Sequence, residues 1–188
     1  MKIVAINGSP RKEGNTAALL KAVVEEHKDT DLVYFDLADL KVKDCTSCWY
    51  CKTHESCSIK DDMTKIYKAI KECDTLVLAS PIYMGAETGI MKSMVDRMYA
   101  LLSFSDSPGK FEPRLAPGKK AMALFTCGAP NGDTAMGYQK DRYYSIFAMG
   151  GFSKAKVYIV GGVNPNANIM EKVEVPKIIE ESRRFLRH

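Results

Sequence analysis

Five apolar runs of six or seven residues, with helical patterns or loops between them, constrain the fold of this 188-residue chain more than any other feature. Residues 2–7 (KIVAIN) form a β-branched run that stops at Gly8, and 16–26 (TAALLKAVVEE) then place apolar residues at helical spacing. Residues 32–37 (LVYFDL) read as a second strand, a cysteine-bearing loop follows, and Asp61 or Asp62 can cap a helix running to about Glu72. A third strand is expected at 74–80 (DTLVLAS), then a helix over 88–102 in which Met91, Met94, Val95 and Met98 form a core stripe. A fourth strand at 120–126 (KAMALFT), a helix near 134–149, a fifth strand at 155–161 (AKVYIVG) and a last helix near 171–186 complete the pattern. Mostly apolar strands alternating with helices predict a parallel sheet covered on both faces, because each right-handed crossover lays a helix over a strand pair. The expected class is α/β, a doubly wound five-stranded parallel sheet forming a single domain over 1–188.

Composition bears on what such a domain can do. The length gives one sizeable core, and 46% hydrophobic with 27% charged residues argue against disorder. The apolar run in MKIVAINGSP is too short for a signal peptide and no segment reads as a membrane span, so the cytoplasm is the expected location, with no membrane contact. A net charge of +4 is modest, and Arg183, Arg184 and Arg187 close a predicted helix where cations favour the dipole, so nucleic-acid binding is not expected. His27 and His188 fall at predicted helix ends and call for no function. Residues 103–118 (SFSDSPGKFEPRLAPG) hold three prolines and two glycines and read as a surface loop with a role at the active site or a subunit contact.

Ligands of doubly wound sheets bind beyond the carboxyl ends of the strands, so the loops after strands one, three and four are the expected site. The first, Gly8-Ser9-Pro10-Arg11-Lys12-Glu13-Gly14-Asn15-Thr16, runs into a helix start; its hydroxyls, amide and backbone N–H groups suit a phosphate. It fits neither GxGxxG nor the GxxxxGK[ST] pattern, since Asn15 stands where the lysine belongs, and a monophosphate is the expected guest. The second, Ser80-Pro81-Ile82-Tyr83-Met84-Gly85, sets an aromatic ring beside exposed amides, which suits a flat heteroaromatic. The third, Thr126-Cys127-Gly128-Ala129-Pro130-Asn131-Gly132, lets a ligand approach backbone. Asp36, ending strand two, could imitate the ribose-binding acid of a dinucleotide fold, but the glycine fingerprint that should accompany it is missing.

Together GSPRKEGNT (8–16), SPIYMGAETGIMKSMVDR (80–97) and TCGAPNG (126–132) resemble the flavodoxin-like NADPH-dependent FMN reductases over nearly the whole chain. The resemblance implies strand order 2-1-3-4-5 with FMN at the carboxyl edge of the sheet. It implies that Ser9, Arg11, Asn15 and Thr16 hold the phosphate, that Pro81, Ile82, Tyr83, Met84 and Gly85 line the isoalloxazine, and that Thr126 and Gly128 lie on its far side. Lys92, Asp96 and Arg97 match the family helix, and Lys92 reads from its spacing as part of an exposed ion-pair face.

The stretch CTSCWYCKTHESC spaces Cys45, Cys48, Cys51 and Cys57 as CxxCxxCxxxxxC. Three thiolates at every third position can converge on one cubane, whereas structural zinc sites pair two separate knuckles. The five-residue last gap, and Ser58 in place of the usual proline, depart from the bacterial ferredoxin run. Within the flavodoxin-like group the arrangement resembles the iron-sulfur flavoproteins, which carry a compact four-cysteine motif between strand two and helix two. That likeness implies a 4Fe-4S cluster on these four residues close to FMN. A metal-free thiol loop, and zinc with His54 as a substitute ligand, stand beside it. Trp49 and Tyr50 could shield a cluster or anchor the loop in the core, and Cys73 and Cys127 read as buried.

The expected function is therefore an FMN-binding redox flavoprotein passing electrons from NAD(P)H or reduced ferredoxin to a small-molecule or protein acceptor. The alternatives are a cluster-free NAD(P)H-dependent FMN or quinone reductase and a thiol-based redox sensor or carrier. No acid–base dyad is visible, and the cofactor would carry the chemistry. Reductases of this kind are often homodimers or homotetramers with FMN near a subunit interface.

Overall fold

The structure is a computed structural model describing residues 1–25, 30–104 and 110–187; His27 and His188 lie outside the described residues. In chain order, β1 (Lys2–Asn7), α1 (Asn15–Val24) and β2 (Asp31–Asp36) are followed by the cysteine loop, which holds one short helix, α2 (Tyr50–Thr53). Next come α3 (Met63–Glu72), β3 (Thr75–Tyr83), β4 (Ala86–Glu87) and α4 (Gly89–Arg97), then β5 (Leu102–Phe104), β6 (Phe111–Pro113) and β7 (Lys120–Thr126). The chain ends with α5 (Gly132–Met136), α6 (Tyr138–Met149), β8 (Lys154–Val160) and α7 (Val175–Arg187).

The main sheet runs β2-β1-β3-β7-β8 with every neighbouring pair parallel, the expected doubly wound order. Period-two alternation sends Ile3 and Ala5 to one face, against Leu19, Leu20 and Val23 of α1 and Val175 and Ile178 of α7. Val4 and Ile6 turn to the other face, against Met63 and Ile66 of α3, Met91 and Met94 of α4, and Tyr143 and Phe147 of α6. The methionine stripe is core, as its spacing predicts. Cys73 is also buried, and burial pushes its thiol up to about 11.

Three expectations need correction. Strand β3 continues through Pro81-Ile82-Tyr83 and turns back at Met84-Gly85 to pair antiparallel with β4. Both turn residues have positive φ, 49° and 84°, as a tight two-residue hairpin requires. The helix expected near 134–149 is two, α5 and α6, meeting at Gly137. The stretch 103–118 is not structureless: β5 and β6 pair antiparallel in a hairpin, Leu102 opposite Pro113 and Phe104 opposite Phe111. Three-residue strands with a proline at the edge carry too little alternation to be read from sequence.

Candidate functional site

The carboxyl ends of β1, β3 and β7 meet where the strand order reverses, and their loops line one open cleft. Its walls contain Ser9, Arg11, Asn15, Thr16, Pro81, Ile82, Tyr83, Thr126 and Gly128 among the expected residues. Met84 and Gly85 form the hairpin turn next to Tyr83 instead of a wall, and Met84 is fully exposed. Val163, Asn164 and Pro165, after β8, supply a further wall that the sequence reasoning missed. The Gly161-Gly162 pair that ends β8 was the available signal, being the same small-residue punctuation that marks the other three strand ends.

Each wall is fixed by its own bonds. At the end of β1 the buried Asn7 accepts from the Ser9 N–H (3.0 Å) and donates to Asp36 (2.6 Å), so Asp36 braces this loop. Ser9 Oγ accepts from the Arg11 N–H at 3.1 Å and rounds the turn, leaving Arg11 exposed at the mouth. Gly14 caps α1 without a side-chain bond and the first turn carries no acid, so the first-turn amides and the positive helix end are open to an anion. Thr16 and Thr126 join hydroxyls at 2.7 Å across the floor. The Asn15 side chain donates to Asn164 O (3.1 Å) and accepts from the Ile169 N–H (3.0 Å), tying the β8 loop to the first turn of α1.

The Tyr83 side is held from α6. Gln139 Nε2 donates to Gly85 O at 2.8 Å, the Tyr138 hydroxyl donates to the same carbonyl, and Arg142 makes a two-pronged ion pair with the buried Glu87. Thr88 caps α4, accepting from the Met91 N–H (3.3 Å) and donating to Gly8 O (2.6 Å). Cys127 is buried beside the cleft, and burial pushes its thiol up.

A second cavity, of about 230 Å³, is lined by Cys45, Cys48, Cys51 and Cys57 together with Trp49, Asp96 and Tyr99. All four thiols are free. Burial, then the neighbouring sulfurs of Cys57, Cys45 and Cys48, pushes the Cys51 thiol up, while bonds from Ser58 and the Tyr50 backbone pull Cys48 down. Among the described residues no three His, Cys, Asp or Glu side chains close around a point in the way a single metal ion requires. The four cysteines line the walls of one shared space. Trp49 is 61% exposed and Tyr50 40%, so neither anchors the loop in the core.

Arg97, sequence neighbour of an exposed Lys92–Asp96 pair (2.6 Å), is itself 1% exposed. Its guanidinium donates to Lys43 O (2.9 Å), Ile59 O (3.3 Å) and both oxygens of the buried Asp61 (2.9 and 3.2 Å). Lys43 and Ile59 flank the cysteine motif, so one side chain at the end of α4 closes the neck of the loop.

Among the described residues no helix is long and apolar enough to cross a membrane. The chain is 41% identical to an iron-sulfur flavoprotein of Methanocaldococcus jannaschii over 101 residues, 52% of this chain and 51% of that protein. It thus spans about half the length of that relative. It is 30% identical to an iron-sulfur flavoprotein of Clostridioides difficile over 191 residues, covering 99% of this chain and 78% of the other. In fold it is similar to an FMN-dependent NADH-azoreductase from Bacillus anthracis, solved with FMN: TM-score 0.74 at 15% identity, over 100% of this chain and 99% of that one. A family model described as NADPH-dependent FMN reductase matches residues 1–161, and the chain belongs to that family.

Proposed function

We propose that the protein is an FMN-dependent oxidoreductase that carries a 4Fe-4S cluster in its cysteine loop. The observation that supports this reading most is the convergence of three strand-end loops on one cleft at the switch point, with a helix start that has no side-chain cap at one end and Tyr83 at the other. When bound, FMN supplies hydride and single-electron transfer, and the protein's part is placement and exclusion of water.

The first turn of α1, the Ser9 hydroxyl and Arg11 would hold the phosphate, with charge-assisted bonds from Arg11. The Pro81–Gly85 hairpin would take one side of the isoalloxazine, and Thr126 and Gly128 the other. Asn15 then acts by holding the 163–165 wall against α1, since both ends of its amide are engaged there. The cleft encloses only about 110 Å³, well below the ~300 Å³ at which small-molecule pockets begin, so the ring would lie partly outside it. Exposed Met84, Tyr83 and Tyr138 stand at the hairpin side of that opening. A second copy of the chain packed on this face would cover the flavin, and we infer a homodimer or larger homo-oligomer on that ground.

The four cysteines sharing one cavity, together with the names of the two relatives, support the cluster. NAD(P)H or a reduced electron carrier would be the donor. An oxygen-free visible spectrum before and after dithionite, with iron and sulfide assayed on the same sample, tests both cofactors. Flavin bands over a broad, bleachable background are expected. Flavin alone after reconstitution would leave a cluster-free FMN or quinone reductase, and no flavin binding would overturn the whole reading.

A further inference from the structure

The hairpin β5–β6 belongs to neither face of the main sheet, yet it places one cation on the cysteine loop. Arg114 follows directly after β6; its own N–H donates to Leu101 O (2.8 Å) and its Nε to Leu102 O (2.9 Å), which fix the base of the side chain. The two remaining nitrogens then fork: one donates to His54 O at 2.9 Å and the other to Cys51 O at 3.0 Å. Both carbonyls lie at the C-terminal end of α2, a four-residue helix too short to satisfy its own last carbonyls.

The loop needs such a grip. Ser47 and Trp49, on either side of Cys48, hold positive φ of 51° and 61°, a left-handed backbone that non-glycine residues adopt only when their surroundings hold them there. The hairpin touches the loop a second time: Lys52 Nζ sits 3.2 Å from the Trp49 ring centre and 4.6 Å from that of Phe104 in β5. Phe104 in turn packs on Tyr99, a wall of the cysteine cavity, with ring centres 4.9 Å apart.

We propose that Arg114 is the positioning residue of the cysteine cavity, and that the hairpin delivers it: the guanidinium fork holds Cys51 in register with Cys45, Cys48 and Cys57. A planar fork reaches both carbonyls at once, and a lysine ammonium of similar reach does not. The inference deepens the cluster reading, but its first test does not depend on it.

That test compares the metal-free, reduced wild-type protein with Arg114→Met and Arg114→Lys by residue-resolved alkylation with iodoacetamide. Losing the fork should raise the Cys51 labelling rate by about tenfold or more in both variants, the consequence of two lost charge-assisted bonds on local opening. The buried Cys73 and Cys127 and the FMN affinity should stay at wild-type values, which separates a grip on this loop from general destabilisation. Cys51 labelling at the wild-type rate in Arg114→Met overturns the proposal, as does wild-type behaviour in Arg114→Lys, which would make charge alone sufficient. On iron-loaded protein, both variants should lose iron to a chelator about tenfold faster than wild type. Wild-type protein that never holds iron would refute the cluster reading alone, and the alkylation rates would still decide the role of Arg114.

Discussion

Breaking the Arg97–Asp61 pair is the sharpest test of how the cysteine loop is attached. The two side chains are 1% and 4% exposed, joined at 2.9 Å, and Asp61 also accepts from the Lys43 N–H (2.9 Å) and the Met63 N–H (3.0 Å). Arg97→Met strands a buried carboxylate, and Asp61→Asn strands a buried guanidinium. Removing one partner of such a pair costs about 3–5 kcal/mol, because the charge left behind has lost both water and counter-ion. For a chain of this size each kcal/mol lowers Tm by roughly 2–4 °C, so a fall of roughly 6–20 °C is expected in each variant by circular dichroism. The double variant Arg97→Met/Asp61→Leu should cost less than the two single changes added, since neither charge remains. Single variants within about 1 kcal/mol of wild type, as for an exposed ion pair, would refute the reasoning.

The same pair fixes an acid limit. Burial by itself would raise the Asp61 carboxyl, but the bonds from Arg97 and from the Lys43 and Met63 N–H groups outweigh it, and its folded pKa lies below the ordinary value. A depressed folded pKa contributes stability that is full above the unfolded value, about 3.9, and lost as pH falls through the folded one. The pH dependence of unfolding in that acid window should therefore flatten in Asp61→Asn.

Arg11→Ala should weaken FMN about tenfold or more while leaving riboflavin, which lacks the phosphate, unchanged; flavin fluorescence quenching measures both, and an equal loss for the two would exclude phosphate contact. Gly161→Ala should destabilise the protein by about 1–3 kcal/mol in urea and loosen the 163–165 wall. Its Cβ would stand 2.4 Å from Gly132 N, 2.6 Å from Ala129 O and 2.7 Å from Pro130 O, all backbone atoms that cannot swing aside. Met84→Asp should shift light-scattering mass toward the monomer and weaken flavin binding; an unchanged mass would remove the inferred cover from the cleft.

The class and the five strands of the main sheet were legible because parallel strands buried on both faces leave nearly continuous apolar runs, whereas their order came only from the family resemblance. The three glycine- and proline-punctuated strand ends were legible for a related reason, since backbone that approaches a ligand closely must be small. Arg97 was not. Its place beside Lys92 and Asp96 suggests an exposed ion-pair face, and its burial comes from Lys43, Ile59 and Asp61, which reach it from outside the helix. Arg114 was hidden in the same way inside a proline-rich stretch, and no local pattern announces a side chain whose partners are carbonyls sixty or so residues away. Trp49 misleads in the opposite direction: a large aromatic suggests core, but its left-handed backbone turns it outward over Lys52.

Helix α4 is bonded at both extremities, Thr88 to the Gly8 carbonyl at the cleft and Arg97 to the neck of the cysteine loop. Nine residues at 1.5 Å each make it a rod of about 13 Å. The gap between the Gly8 end of the cleft and the neck of the cysteine loop is thus spanned by helix and not by loop. Substitutions within either loop leave that gap unchanged. Adjusting that gap would require adding or removing whole helical turns.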